Sequence, residues 1–284
     1  MSLPFEVEDQ NLVHIKRWLQ YNVEPLEEVL MKWQETALIR RQFLIHPDTQ
    51  INNILEDWPL YKQSFGHTLI NIDFESIYPG AGDLFYKKWS QLAPKIITLM
   101  TTKVKDGNSK ELLKQITENP DTELDSRNVV IFALLSSMII PTSKSVEIDK
   151  VTKIKRITKT SIADARKSFM RLVSTTNDLY VQIQSEIENC YSMKTTLQPL
   201  ICIIGDDYLT AKQFFVYYFN TYYKLPNIVK AVDVCLKIFH VFNLKYPMES
   251  ELVWTFIQKC LYGIDTENDV KSSSVLSAIS DLKD

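Results

Sequence analysis

The sequence predicts a mainly α fold, a helical bundle with a small β element, strand or hairpin, near residues 199–224. Three observations predict it. Apolar residues recur at spacings of three and four along most of the chain, the period of a helix with one buried stripe. Only 6 of the 284 residues are Gly, too few for a barrel or a sandwich, whose turns draw on positive-φ positions. A short apolar run, Leu200 to Ile204, lies between Pro199 and Gly205-Asp206-Asp207, as a buried strand bounded by turns would.

A first helix over roughly 8–21 would bury Leu12, Ile15 and Leu19. Leu26, Val29, Leu30, Trp33, Ala37 and Leu44 then predict one long amphipathic helix over 25–45, with Pro25 at its first position. Residues 56–82 mix aromatics with turn formers, including Trp58-Pro59, Gly66, Asp73-Phe74 and Tyr78-Pro79-Gly80-Ala81-Gly82. They read as a loop held by anchored aromatics. Asp83 suits an N-cap for a helix through Trp89 to about Thr101, and a short helix follows over 109–118. The next, after Asp125, carries the run Val129 to Ile140 and is apolar all round, so it belongs at the centre.

Pro141 ends that helix. Residues 142–159 lack periodicity and are rich in Lys, Thr and Ser. They read as a basic linker or loop between an N-terminal helical region, 1–141, and a C-terminal α+β region, 160–284, which either stand apart or pack as one domain. Ser161 suits the cap of a helix with Ile162, Ala165, Phe169 and Leu172 inward, and another helix spans 177–191. Phe214 to Phe219 reads as a second strand turning at Asn220-Thr221 into Tyr222-Tyr223-Lys224; the competing reading is one helix over 210–224. Two apolar stripes, from Ile228 to Phe242 and from Leu252 to Leu261, predict helices, and a last short helix covers 273–282.

With 45% hydrophobic and 24% charged residues, the chain can build a sizeable core. A net charge of −3 gives no whole-molecule attraction to nucleic acid or anionic membrane. Cys190, Cys202, Cys235 and Cys260 lie in apolar stretches with no CxxC pair, which suits reduced core thiols. The opening residues turn acidic without an apolar segment, so no signal peptide is expected. The longest apolar run falls short of the ~20 residues that span a bilayer. A cytoplasmic or nuclear protein is the expectation.

Catalytic patterns are weak. Gly205-Asp206-Asp207 after a strand resembles the turn by which polymerase palm domains present carboxylates to two metal ions. A second Asp-bearing strand and a basic nucleotide-binding segment cannot be placed, so a plain turn is the better reading and metal-dependent phosphoryl transfer at Asp206/Asp207 is remote. Gly80-Ala81-Gly82-Asp83 before a helix hints at anion binding, but no Lys-Ser or Lys-Thr pair follows and Asp83 would repel phosphate. His14, His46, His67 and His240 show no metal-ligand spacing. Cys235 and His240 are about 140° apart around one helix, so they do not pair. No catalytic, cofactor or metal residue is expected, and no cofactor.

The strongest anomaly is basic. Between 142 and 171 stand nine cations, Lys144, Lys150, Lys153, Lys155, Arg156, Lys159, Arg166, Lys167 and Arg171, against Glu147, Asp149 and Asp164. The local balance is 9 − 3 = +6 in a chain of −3. These residues could contact phosphates or simply form a solvated face. No aromatic interleaves them before Phe169, which counts against stacking on single strands.

Two blocks carry a resemblance. One is Trp58-Pro59, Gly66, Asp73-Phe74, Tyr78-Pro79-Gly80 and Trp89; the other is Gln198-Pro199, Ala231-Val232-Asp233, Cys235, Lys237, Phe242-Asn243, Tyr246-Pro247, Glu249-Ser250, Val253-Trp254 and Ile257-Gln258. Together they resemble a family of uncharacterised animal proteins abundant in arthropods and fish, some fish members of which are labelled sterile alpha motif domain-containing protein 3-like. Unlike the domain-bearing members, this chain is not expected to carry an added sterile alpha motif domain. The family has no assigned activity, so the resemblance implies no catalytic residue; its many divergent copies are compatible with a mobile-element origin.

In the second block, Pro247 and Glu249-Ser250 read as a fixed inter-helix turn. Trp254 either packs inward, which its stripe favours, or anchors a partner. The functional expectation is a non-enzymatic, intracellular protein-interaction or scaffold protein with an unidentified protein partner. The alternative is a nucleic-acid-binding protein using the segment 144–171.

Overall fold

The computed structural model describes residues 10–46, 49–119, 121–148 and 155–283. The chain is mainly helical, with a four-stranded mixed sheet in the C-terminal half. No described helix is long and apolar enough to cross a membrane.

The N-terminal part contains α1 (Gln10–Tyr21), α2 (Leu26–Glu35), α3 (Ala37–Ile45), α4 (Ile51–Asp57), a 3-10 turn (Pro59–Lys62) and α5 (Gly66–Ile77). Two expectations are corrected here. The single helix over 25–45 is divided at Thr36, whose hydroxyl donates to the Lys32 and Trp33 carbonyls at 3.0 and 3.1 Å. A hydroxyl on those carbonyls competes with the helical ladder. Residues 56–82 are largely helical, not a loop. Their turn formers do other work: a Cβ at Gly66 would stand 2.3 Å from the Tyr61 carbonyl oxygen, and Asp73 is a buried acceptor.

That acceptor organises its surroundings. Asp73 Oδ2 accepts from Trp33 Nε1 at 3.1 Å and Tyr61 Oη at 2.7 Å, while Oδ1 accepts from Arg40 Nε at 3.1 Å. The Arg40 guanidinium lies 3.8 Å from the Trp33 ring centre and 5.1 Å from that of Trp58. Burial, then the charge of Asp73, pushes the Tyr61 phenol well above its usual range, so it stays a donor.

Then follow α6 (Leu84–Lys103), α7 (Gly107–Thr117) and α8 (Leu124–Met138). The run in α8 is central as expected: Val129 to Leu134 are all at 0% exposure. Its one deeply placed amide, Asn128, accepts from Trp89 Nε1 at 3.0 Å. Trp89 in turn stacks on Phe132.

The segment 142–159, expected to be a linker or loop, contains two paired strands, β1 (Lys144–Ile148) and β2 (Lys155–Lys159). After it come α9 (Ile162–Phe169), β3 (Met170–Val173), α10 (Thr176–Ser192), β4 (Leu200–Ile204), β5 (Gln213–Tyr218), β6 (Thr221–Leu225), α11 (Ile228–Val241), α12 (Glu251–Ile257), a π turn (Gln258–Tyr262) and α13 (Ser273–Asp281). Ser161 caps α9 in a full capping box with Asp164. Its inward set ends sooner than expected, because the chain becomes a strand at Met170.

Sheet order is β3-β4-β5-β6, with β3 parallel to β4 and the rest antiparallel. Residues 213–225 thus form a hairpin, not a helix, and it turns at Phe219-Asn220, both at positive φ (42° and 60°). Strand β4 is buried on both faces, which accounts for its unbroken apolar run. Leu200, Cys202 and Ile204 meet Leu179 and Ile183 of α10. Ile201 and Ile203 join the main core with α11. That core runs from Ile15 to Leu282 and takes residues from both sides of the β1–β2 segment. Trp254 is at 0% exposure beside Phe169 and Phe239, so it packs inward.

Replacing Asp73 with Ala leaves Arg40 buried without its counterion, which costs about 3–5 kcal/mol. Urea unfolding followed by tryptophan fluorescence measures this; a loss below about 1 kcal/mol would show that the cluster is not a central constraint.

Candidate nucleic-acid interface

In the β1–β2 ribbon, Lys144 pairs with Lys159 and Ile148 with Lys155. Alternate residues share a face and directly paired residues share it too. Lys155, Ile157, Lys159 and Lys144 therefore stand together, and all are exposed, Ile157 at 57%. Like charges directly opposite one another destabilise a strand pair, so core packing does not explain Lys144 facing Lys159. Among the described residues, neither strand packs extensively on any other element. At the base, the Ser143 and Thr160 hydroxyls bond at 2.7 Å and the Thr160 amide donates to the Ser143 carbonyl at 3.1 Å.

The nine cations do not act as one surface. Lys150 and Lys153 lie outside the described residues. Arg166 turns inward: Nε donates to the Ala133 carbonyl at 2.7 Å, and Nη2 to the Ser109 and Ser137 hydroxyls at 2.8 and 3.1 Å. It thereby ties α9 to α7 and α8. Arg171 on β3 forms an ion pair with Glu186 of α10. Lys167 is exposed on α9, away from the ribbon strands in sequence. Charge counting could not separate these roles, because composition carries no direction.

The remaining motifs resolve as structure. Asp207 Oδ1 accepts from the Leu209 and Thr210 amides, both at 2.8 Å, and from the Thr210 hydroxyl at 3.0 Å. Burial would raise this carboxyl, but the bonds from Thr210 and Leu209 pull it below its ordinary value. Gly205 is needed where it is, since a Cβ would stand 2.5 Å from the Ala211 Cα. At Gly80-Ala81-Gly82 the amides are already taken by an internal carboxylate: Gly80 N and Gly82 N donate to Glu75 Oε1 and Oε2 at 2.5 and 2.7 Å.

Among the described residues, no group of three or more His, Cys, Asp or Glu is placed to hold a metal ion. The four cysteines are free thiols; Cys202 and Cys235 are buried, Cys190 and Cys260 partly so. Burial pushes the Cys202 thiol up to about 12. His240 stands apart from Cys235, with Nδ1 3.0 Å from Tyr78 Oη and Nε2 2.9 Å from Tyr246 Oη. Burial lowers it to about 4, with Asp269 opposing and Arg41 assisting.

Comparison of this chain with protein-family models, with curated proteins and with solved structures finds no match. The family resemblance of the two sequence blocks therefore stands as a proposal.

Two outcomes are expected. Asp207→Ala should cost about 1 kcal/mol by freeing two turn amides, and Asp206→Ala less than about 0.5 kcal/mol, both read by calorimetry. His240 is neutral in the fold and its pKa lies below the ordinary 6.5, so its contribution is complete above pH 6.5 and is lost as pH falls towards 4. The contribution is about 3 kcal/mol at most. His67, also lowered by burial, acts in the same direction. Comparing wild type with His240→Asn isolates His240: the variant's unfolding free energy should fall less steeply between pH 6.5 and 4.

Proposed function

We propose that the protein binds nucleic acid through the β1–β2 ribbon, by phosphate contacts and without sequence preference. The observation that supports this most is the set Lys144, Lys155 and Lys159 exposed on one face of a ribbon that, among the described residues, packs extensively on nothing else. A two-stranded ribbon fits the B-form major groove, which is about 12 Å wide. Lysines neutralise phosphates and release counterions. A ribbon with three exposed lysines also lets a protein with net charge −3 present a locally positive surface to a polyanion. Lysine on open strand edges discourages pairing with another chain, which argues against self-assembly through this ribbon. Four free thiols go with a reducing compartment, cytoplasm or nucleus.

A second reading, a protein-interaction or scaffold role, draws on one observation. Helix α10 and its cap expose Tyr180, Val181, Tyr191 and Met193, at 51–85% exposure, and aromatic and Met side chains are enriched at interface centres. A pull-down with and without nuclease separates the two readings.

The triple variant Lys144→Glu/Lys155→Glu/Lys159→Glu should keep its circular dichroism spectrum, because these side chains are exposed. Its affinity for labelled duplex DNA, measured by fluorescence anisotropy at low salt, should fall at least tenfold. The slope of log affinity against log salt should shrink by about 2.7 if all three lysines contact phosphates. Equal binding by variant and wild type would place the interface elsewhere; no wild-type binding to DNA or RNA at low salt would end this reading.

A further inference from the structure

A cleft of about 470 Å³ opens where α3, the end of α5, α11 and α12 meet. Small-molecule sites occupy about 300–1,000 Å³. Arg41, Tyr78, Lys245, Tyr246, Glu251 and Asp269 all contribute to its lining.

Most of its charged and polar groups are already satisfied. Asp269 pairs with Lys259 at 2.5 Å and accepts from Gln258 Nε2 at 2.9 Å and the Thr266 amide at 3.0 Å. Burial alone would raise that carboxyl, yet these bonds hold it at about 2. His240 has a phenol on each ring nitrogen and is neutral.

Arg41 is the exception. Arg40 and Arg171 have carboxylate partners and Arg166 has hydroxyl and carbonyl partners. Arg41 forms no ion pair among the described residues, and its Nη1 is buried without a hydrogen-bond partner. Arg41 is half-buried and its guanidinium stays charged, so the rest of the group remains open to an anion. A second cation, Lys245, is exposed at the same cleft. Against these two stands Glu251, whose carboxyl burial pushes up, with Lys245 opposing. Arg41 and Lys245 balance Glu251 and Asp269 on the lining, and Asp269 is already held by Lys259, so the cleft suits at most a single negative charge. A dianion such as phosphate would meet both Glu251 and Asp269.

We propose that this cleft binds a small organic monocarboxylate, its anion received by Arg41 and Lys245 and its body lying against Tyr78 and Tyr246. The probes are sodium benzoate and sodium acetate, with benzamide as the uncharged control, titrated by calorimetry and by ligand-observed NMR. Benzoate should bind saturably, at least tenfold more tightly than benzamide. Arg41→Gln should weaken it at least tenfold. Lys245→Gln, at an exposed position where folding is not at risk, should weaken it severalfold. Glu251→Gln should strengthen it severalfold by removing a competing anion. No saturable binding of either carboxylate, equal affinity for benzamide, or unchanged benzoate affinity in a folded Arg41→Gln variant would overturn the proposal.

Discussion

Asp73 brings a carboxylate into the core, where it gathers the Trp33 indole, the Tyr61 phenol and the Arg40 guanidinium. Those donors come from α2, the 3-10 turn and α3, and the acceptor from α5, so one side chain fixes four elements. The Thr36 hydroxyl also accepts from Arg40, which places the break between α2 and α3 inside the same cluster. The flat face of Arg40 against Trp33 and Trp58 makes the site specific for guanidinium, since an ammonium offers neither the plane nor the fork.

A second buried pair meets α5 at Asn71, two residues before Asp73 and about 200° around the helix from it. Lys237 meets Asp233 at 2.8 Å, Asn71 Oδ1 at 2.5 Å and the Gly82 carbonyl at 2.8 Å. Burial lowers this lysine, and Asp233 opposes the shift. Buried ion pairs add little net stability over apolar packing, because desolvation offsets attraction. What the two clusters fix is position: α5 is keyed to α2 and α3 through Asp73 and to α11 through Asn71.

Much of the fold was legible wherever a local signal and the tertiary environment agree. The all-apolar run in α8, the Ser161 cap and the Leu200–Ile204 strand each needed no distant partner to be recognised. The misses share a cause. Gly66 and Asp73 look like turn formers in sequence, but one answers a close backbone approach and the other a buried cation. Strands β1 and β2 are as short as β4 but lack its unbroken apolar run, and each exists as a strand through its pairing with the other. The cleft at Arg41 is assembled from five separated segments, and no spacing rule links residue 41 to residues 245 or 269.

The π turn after α12 shows how a local irregularity can serve two distant regions. The Gly263 amide reaches back to the Gln258 carbonyl, five residues earlier, before the chain leaves at positive φ. One added residue advances a helix by about 100°. That change of phase lets Gln258 contact Tyr246 and Asp269 on one side while Tyr262 places its hydroxyl on Asp233 on the other. A regular α-helical continuation would misalign one of these contacts. Geometry at the cleft and at the buried lysine is thus linked by a single offset, and a one-residue deletion there would put one out of phase with the other.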